Sequence, residues 1–390
     1  MADLPRLPFE RSNTLEIPAA YGALRAKAPI TRVRTRTGDE AWLVTGYEQV
    51  RAIFADERFG RSHPDPDNAP RLSNSALTGG PNGDHATEKD VHDRMRRLLA
   101  PAFSARRMQA LSGHVQELVD GLLDGMEAQG PPADLHASLS VPLPIQVICE
   151  LLGVPIADRD HFRAIAEDMT DLTDPNRSAA ARTAMEEYSH GIVKTKRDHP
   201  GEDVYSDLAT ADLPEEEVAT IAGGLLFAGH ETTVNRIDGG VVVLLHNPEQ
   251  LEALKRDPAL VSAAVEEIMR LASPNDHGLA RYTREDVEID GVQIKAGELC
   301  VLVTAAANRD ESVFVDPERF DIGRDPQPHL GFGYAIRYCL GANLARVELR
   351  AVFGTLFQRF PDLRLAVPLE RLPQRPDRLT GGFSAIPVTW

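Results

Sequence analysis

The segment from Leu213-Pro214 to His246-Asn247-Pro248 constrains the fold more than any other part of the chain. A proline near its start, Glu215, Glu216 and Glu217 in its first turn and a proline just past its end are the terminal chemistry of one uninterrupted helix. At 1.5 Å per residue such a helix is roughly 50 Å long, enough to cross a domain. Its runs IAGGLLFA and GGVVVLL are apolar on most faces, which predicts a central helix buried by its neighbours. Helical periodicity at 111–126, 143–152 and 264–271 adds further helices. Strand signals are fewer: a hairpin of 31–36 with 41–44 across Thr37-Gly38-Asp39, strands at 286–292 and 299–304, and a closing strand at 385–390. The expected fold class is mainly α, a large helical domain with a small peripheral β-sheet region.

Nothing in the 390 residues resembles a linker or a repeat, so a single domain over 1–390 is expected. The turn-rich stretch 62–84, SHPDPDNAPRLSNSALTGGPNGD, is expected to be a long loop of functional use. There are 42 Lys and Arg against 59 Asp and Glu, and a net charge of −17 argues against a nucleic-acid partner. No run approaches about 18 consecutive apolar residues, and the amino terminus reads as neither signal peptide nor anchor. Three cysteines far apart, Cys149, Cys300 and Cys339, suit a reducing compartment and exclude a multi-cysteine zinc or iron–sulfur cage. A cytoplasmic enzyme, without membrane partners, is the expectation.

Chemistry concentrates in LGFGYAIRYCLGANLARVELR, which begins at Leu330. Cys339 stands in a turn rich in glycine and aromatics, directly before an amphipathic helix. Helix-start N–H groups and the dipole favour its thiolate, and such a thiolate can ligate an iron. Isolated cysteines are more often inert core residues; the neighbours decide here. Phe332, Arg337, Cys339 and Gly341 stand at the spacings of F-x-x-G-x-R/H-x-C-x-G, and this stretch resembles the haem-binding loop of the cytochrome P450 family. The family's glycine four residues before the cysteine is Ala335 here. If that position needs a positive φ, alanine costs about 1 kcal/mol.

Three other motifs join it. Ala228-Gly229-His230-Glu231-Thr232-Thr233, inside the long helix, resembles the family's A-G-x-D/E-T, where a small residue leaves room and Glu231 and Thr232 relay protons to oxygen. Read alone, Thr232 is a hydroxyl bonding back to a helix carbonyl. The HExxH zinc pattern is excluded because position 234 is Val. Glu267 and Arg270 match E-x-x-R, a spacing that on its own describes a solvated surface pair. The resemblance joins them to an arginine, matched to Arg319 in DPERF, in a structural triad. His92, Arg96, Arg281 and Arg337 match the family's anchors for haem propionates, where arginine and histidine make charge-assisted bonds.

The resemblance covers the whole chain and is nearest to soluble actinobacterial oxidases of secondary metabolism, including macrolide and cyclodipeptide oxidases. It implies haem b held by Cys339, with Ala228 against the cofactor, and oxidation of a mid-sized natural product by dioxygen. Electrons would come from a ferredoxin and a ferredoxin reductase, docked on Arg94, Arg97, Arg106, Arg107, Arg346 and Arg350. Hydroxylation or epoxidation is the first reading, oxidative coupling of aromatic or indole groups the second. A non-catalytic haem sensor is the third, disfavoured by the Glu231-Thr232 pair. Expected substrate contacts are Leu226, Phe227, Asn235, Arg236, Asn275, Leu279 and Phe383, with Asp276 and His277 beside them and the 62–90 loop over them.

Overall fold

The long helix is real: Glu215–His246 runs unbroken for 32 residues, with Pro214 as its cap and Asn247 ending it. The computed structural model describes residues 4–11, 15–272 and 278–390. Its contacts divide into two compact units, Met1–Arg94 with Glu266–Cys339, and Met95–Val265 with Leu340–Trp390. Among the described residues, no helix is long and apolar enough to cross a membrane.

The first unit is built on a five-stranded sheet. Ile30–Arg34 and Glu40–Val44 form the expected hairpin, paired from Ile30↔Val44 to Arg34↔Glu40. Glu40–Val44 then runs parallel to Leu299–Leu302, which pairs antiparallel with Leu279–Thr283, and Phe59–Gly60 closes the far edge. All four residues of Leu299–Leu302 are buried because the sheet is covered on both faces. Leu299 and Val301 pack with Val33 and Leu43 on one side, Cys300 and Leu302 with Tyr47, Val50 and Phe54 on the other.

Two expectations are corrected here. The segment read as one strand over 286–292 is a tight hairpin, Val287–Ile289 against Val292–Ile294. Asp290 and Gly291 turn it with φ of 51° and 76°, and positive φ at both central positions is what an Asp-Gly hairpin turn requires. The strand Leu279–Thr283 was not expected, because Arg281 interrupts its apolar pattern.

In the second unit the long helix packs against Pro175–Asp198, Pro142–Leu152 and Ala342–Arg359. A five-residue π-helical segment, His136–Ser140, also lies against it. The closing strand is found at Pro387–Thr389, between Ala133–Asp134 and Arg364–Leu365.

Candidate active-site residues in each unit

In the first unit, backbone bonds fold the cysteine loop onto itself. Cys339 N–H donates to Phe332 O at 2.7 Å, Gly333 N–H to Leu330 O at 3.0 Å and Tyr338 N–H to Ala335 O at 3.0 Å. The ring of Phe332 is buried and packs beside those of His329 and Tyr338. Gly333 sits at φ +73°, and a Cβ there would lie 2.7 Å from Arg337 O, so only glycine fits. Ala335 does sit in the left-handed region, at φ 48°. Ala335→Gly is therefore expected to stabilise the protein by about 1 kcal/mol, read from denaturant midpoints. A destabilised variant would mean that the alanine methyl packs better than the backbone suffers.

Cys339 is exposed, whereas Cys149 and Cys300 are buried. Burial pushes the Cys149 thiol up to about 11 and the Cys300 thiol up to about 12, so neither offers a thiolate near neutrality. The helix that follows in the chain is Ala342–Arg359, capped by Gly341 at φ −83°. A Cβ on Gly341 would meet nothing within 4 Å, so packing within the protein does not explain that glycine.

The E-x-x-R pair supports the loop from beneath and is not a surface pair. Glu267 and Arg270 are 5% and 2% exposed. Arg270 Nε and Nη2 donate to the two Glu267 oxygens at 2.8 and 2.7 Å. Its remaining N–H groups reach the carbonyls of Asn308, Pro317 and Arg319. The third member of the triad is corrected from Arg319 to Arg324. Arg319 is exposed and lends only its carbonyl, while Arg324 Nε donates to Glu267 Oε1 at 3.2 Å. Contact follows where the chain turns after DPERF, five residues further on, which motif spacing does not encode. Asn308, not singled out in the sequence, completes the support. Its Nδ2 donates to Arg270 O at 3.3 Å and its Oδ1 accepts from Leu330 N–H at 2.7 Å, at the root of the cysteine loop.

The same unit holds a buried cationic cluster short of counter-charge. Arg281 is 8% exposed, and burial, with Arg337 and Arg61 nearby, brings its guanidinium down to about 9. Arg337 is also lowered, chiefly by burial. Glu88 gives Arg337 Nη2 a carboxylate at 3.3 Å and Arg284 Nη2 one at 2.9 Å. The Nε–H groups of Arg281 and Arg337 are buried without a protein acceptor. Half-buried His92 is held below its ordinary range by burial, then by Arg337. A ligand carrying carboxylates satisfies these donors. Among the described residues, no cluster of three or more His, Cys, Asp or Glu is placed to hold a metal ion. An exposed thiol and two arginines with unpaired Nε–H groups in one unit fit a haem with its two propionates.

In the second unit the long helix is buried along most of its length, yet Ala228 and Thr232, one turn apart, are exposed. Thr232 Oγ1 donates to Ala228 O at 2.9 Å, the helix back-bond of an isolated threonine. Glu231 is buried on another face, and burial raises its carboxyl despite Arg375. Thr380 Oγ1 donates to Glu231 Oε1 at 3.1 Å, and Arg375 Nη2 lies 3.3 Å from the same oxygen. These two partners come from the carboxyl-terminal segment, and nothing local in their sequence announces them. Burial, then Arg375 and Arg163, brings His230 down to about 3, so its ring is neutral.

Of the expected substrate contacts, Leu226 and Phe383 are buried, Phe227 and Arg236 half-buried and Leu279 exposed. Asn235 is buried; its Nδ2 donates to Glu231 O at 3.0 Å and its Oδ1 has no protein partner. Asn275, Asp276 and His277 lie outside the described residues. On the second unit, the helices Ala105–Ala110 and Ala342–Arg359 pack together and carry Arg106, Arg107, Arg346 and Arg350.

A family model described as Cytochrome P450 matches residues 157–378. Pentalenolactone synthase of Streptomyces exfoliatus is 41% identical, with 100% of both chains covered. Nocardicin C N-oxygenase of Nocardia uniformis subsp. tsuyamanensis is 40% identical over 100% of this chain and 99% of its own. Among solved structures, the putative thioether synthase SgvP, involved in the tailoring step of griseoviridin, superposes with a TM-score of 0.93 at 40% identity, with both chains fully covered.

Proposed function

We propose, since the chain belongs to the cytochrome P450 family of monooxygenases, that it oxidises a mid-sized, partly polar natural product, with Cys339 as the haem ligand. The observation that carries this reading is the exposed Cys339 on a backbone-locked loop, in the same unit as Arg281 and Arg337, whose buried Nε–H groups have no protein acceptor. Haem, as haem b, supplies electron transfer and oxygen activation when bound. The protein's own residues do the rest. Arg281, Arg337, His92 and Arg96 take its carboxylates through charge-assisted bonds. Phe332 and Gly341 shape the loop around the sulfur. Ala228 keeps the helix face shallow, Thr232 presents a hydroxyl on that face, and Glu231, its carboxyl raised by burial, serves as the proton donor behind it.

The whole of 1–390 acts as one catalytic domain in this reading, in the cytoplasm. Electrons arrive from a ferredoxin and its reductase, for which the arginines on the packed helices Ala105–Ala110 and Ala342–Arg359 offer a basic face on an acidic protein. Leu226, Phe227, Asn235, Arg236, Asn275, Leu279 and Phe383 contact the substrate. Hydroxylation or epoxidation is the favoured outcome. Oxidative coupling is the second reading, supported by likeness to a putative thioether synthase; a product that loses hydrogens and gains no oxygen distinguishes it.

The test is the absorption spectrum of the dithionite-reduced protein under carbon monoxide, for wild type and Cys339→Ala. A strongly red-shifted Soret band in wild type, lost in the variant, is expected. A haem-loaded wild type without that band would remove Cys339 as the ligand and the proposed chemistry with it.

A further inference from the structure

One face of the long helix is polar and buried, which its apolar composition conceals. Glu231, Asn235 and Asp238 are four and three residues apart, so their side chains leave the helix on one side. They are 2%, 2% and 0% exposed. Asp238 Oδ2 lies 2.7 Å from His136 Nδ1, on the π-helical segment His136–Ser140, and such segments recur at functional positions. The Ser140 hydroxyl stands beside the same carboxylate, short of a formed hydrogen bond. Over the other end lies a carboxyl-terminal hairpin, joined by Arg375 N–H to Gly382 O and by a Gln374–Phe383 bridge. It brings Arg375 and Thr380 to Glu231, and Gly382 so close to Asn235 that a Cβ would lie 1.7 Å from Oδ1.

Two buried acceptors along this face, Asn235 Oδ1 and Asp238 Oδ1, have no formed hydrogen bond from the protein, nor has the Ser140 hydroxyl beside Asp238. Buried polar atoms of this kind are satisfied by ordered water. Along the helix Asn235 is about 6 Å from Glu231 and Asp238 about 4.5 Å further, each a span for one or two waters. His136, at the far end, keeps 11% of its side chain exposed while Asp238 keeps none.

We propose that His136, Asp238 and Asn235 form a hydrated proton path that reloads Glu231 from solvent. The proposal rests on the reading of Glu231 as a proton donor in turnover. His136 takes a proton from solvent at Nε2 and gives one from Nδ1 to Asp238. The protonated Asp238 carboxyl turns and releases it to water beside Asn235, and Glu231 accepts it. One proton enters for each that leaves Glu231, no electron moves, and the His136 ring resets by rotating so that the nitrogen protonated from solvent again faces Asp238. The charged and titratable groups around the path are consistent with transfer in this direction. Glu231 faces Arg375, Glu167 and His136, with neutral His230 alongside; Asp238 faces His136 and Asp134; His136 faces Asp238, Asp134 and Arg375. Burial raises both carboxyls, so each can carry a proton.

The test compares haem-loaded wild type, Glu231→Gln, Asp238→Asn and His136→Gln. Oxygen reduction is driven by NADPH through a surrogate plant ferredoxin and its reductase, in water and in deuterium oxide. Infrared spectroscopy of the resting proteins follows deuterium exchange of the Glu231 carboxyl, assigned by its loss in Glu231→Gln. In Asp238→Asn and His136→Gln we expect oxygen reduction about tenfold slower, a larger solvent isotope effect and partial rescue by formate. Exchange at Glu231 should slow in both. Wild-type turnover, isotope effect and exchange in folded Asp238→Asn would overturn the path. If that variant does not fold, the same results in His136→Gln would overturn it. Wild-type turnover in Glu231→Gln would instead overturn the donor role beneath it.

Discussion

Glu267→Ala is expected to cost the protein about 3–5 kcal/mol, the largest stability loss among the residues discussed, although Glu267 touches no substrate. The reason lies in what remains behind. Arg270 is 2% exposed and loses both carboxylate bonds, leaving a buried guanidinium held only by the carbonyls of Asn308, Pro317 and Arg319. Arg324 and the Asp321 N–H lose their acceptor as well. The damage passes through Asn308, which ties Arg270 O to Leu330 N–H, so the cysteine loop loosens at its root. Denaturant midpoints measure the loss, and faster haem release should accompany it. Glu267→Gln keeps an acceptor for one Arg270 N–H and should fall between the two. A loss within about 0.5 kcal/mol for the alanine variant, the size of an ordinary surface change, would show that the pair is dispensable.

That network also shows where sequence reasoning stops. Glu267 and Arg270 were legible because their spacing is set by the helix they share. Their burial and the identity of Arg324 were not, since both depend on how a distant turn returns to that helix. The long helix was legible from its ends, where Pro214, three glutamates and Pro248 each satisfy a local physical need. The cysteine loop was legible because Phe332, Gly333 and Arg337 must sit at fixed offsets for its backbone bonds to close. Ala335 could be flagged from one missing glycine, and its φ of 48° answers the question that flag raised.

Other features left no local trace. Arg281 broke the apolar pattern of Leu279–Thr283, so a strand went unread where the breaking residue is a buried cation. Glu88 reads as an ordinary first-turn acid, yet it accepts from Arg61, Ser62, Arg284 and Arg337, and those bonds hold its carboxyl down at about 2 despite burial. Glu231 and Asn235 were singled out separately, but Asp238 and the polar face the three share were hidden by the valines and leucines around them. Single-residue hydropathy averages away a polar face only three side chains long. Partners that approach from far along the chain, such as His136, Arg375 and Thr380, cannot be seen from any window.

Thr232→Ala separates proton placement from everything else the long helix does. Thr232 is exposed and its hydroxyl bonds only its own helix backbone among the contacts seen, so removing it leaves packing almost unchanged. The expected result is continued oxygen consumption through a surrogate ferredoxin, within about twofold of wild type. Product formed per NADPH should fall about tenfold, with peroxide taking up the difference. Glu231→Gln should behave differently: it removes the proposed proton donor beside Thr232 and should slow all turnover by about 10²-fold. Thr233→Ala is the internal contrast. That neighbour is buried and turned to another face, its Oγ1 3.5 Å from Gly229 O, so its loss should alter stability by no more than about 1 kcal/mol and leave coupling intact. A substrate found by its spin-state shift allows the product ratio to be measured directly. Equal coupling in Thr232→Ala and wild type would take the hydroxyl out of the reaction and leave it the back-bonded helix threonine its geometry also describes.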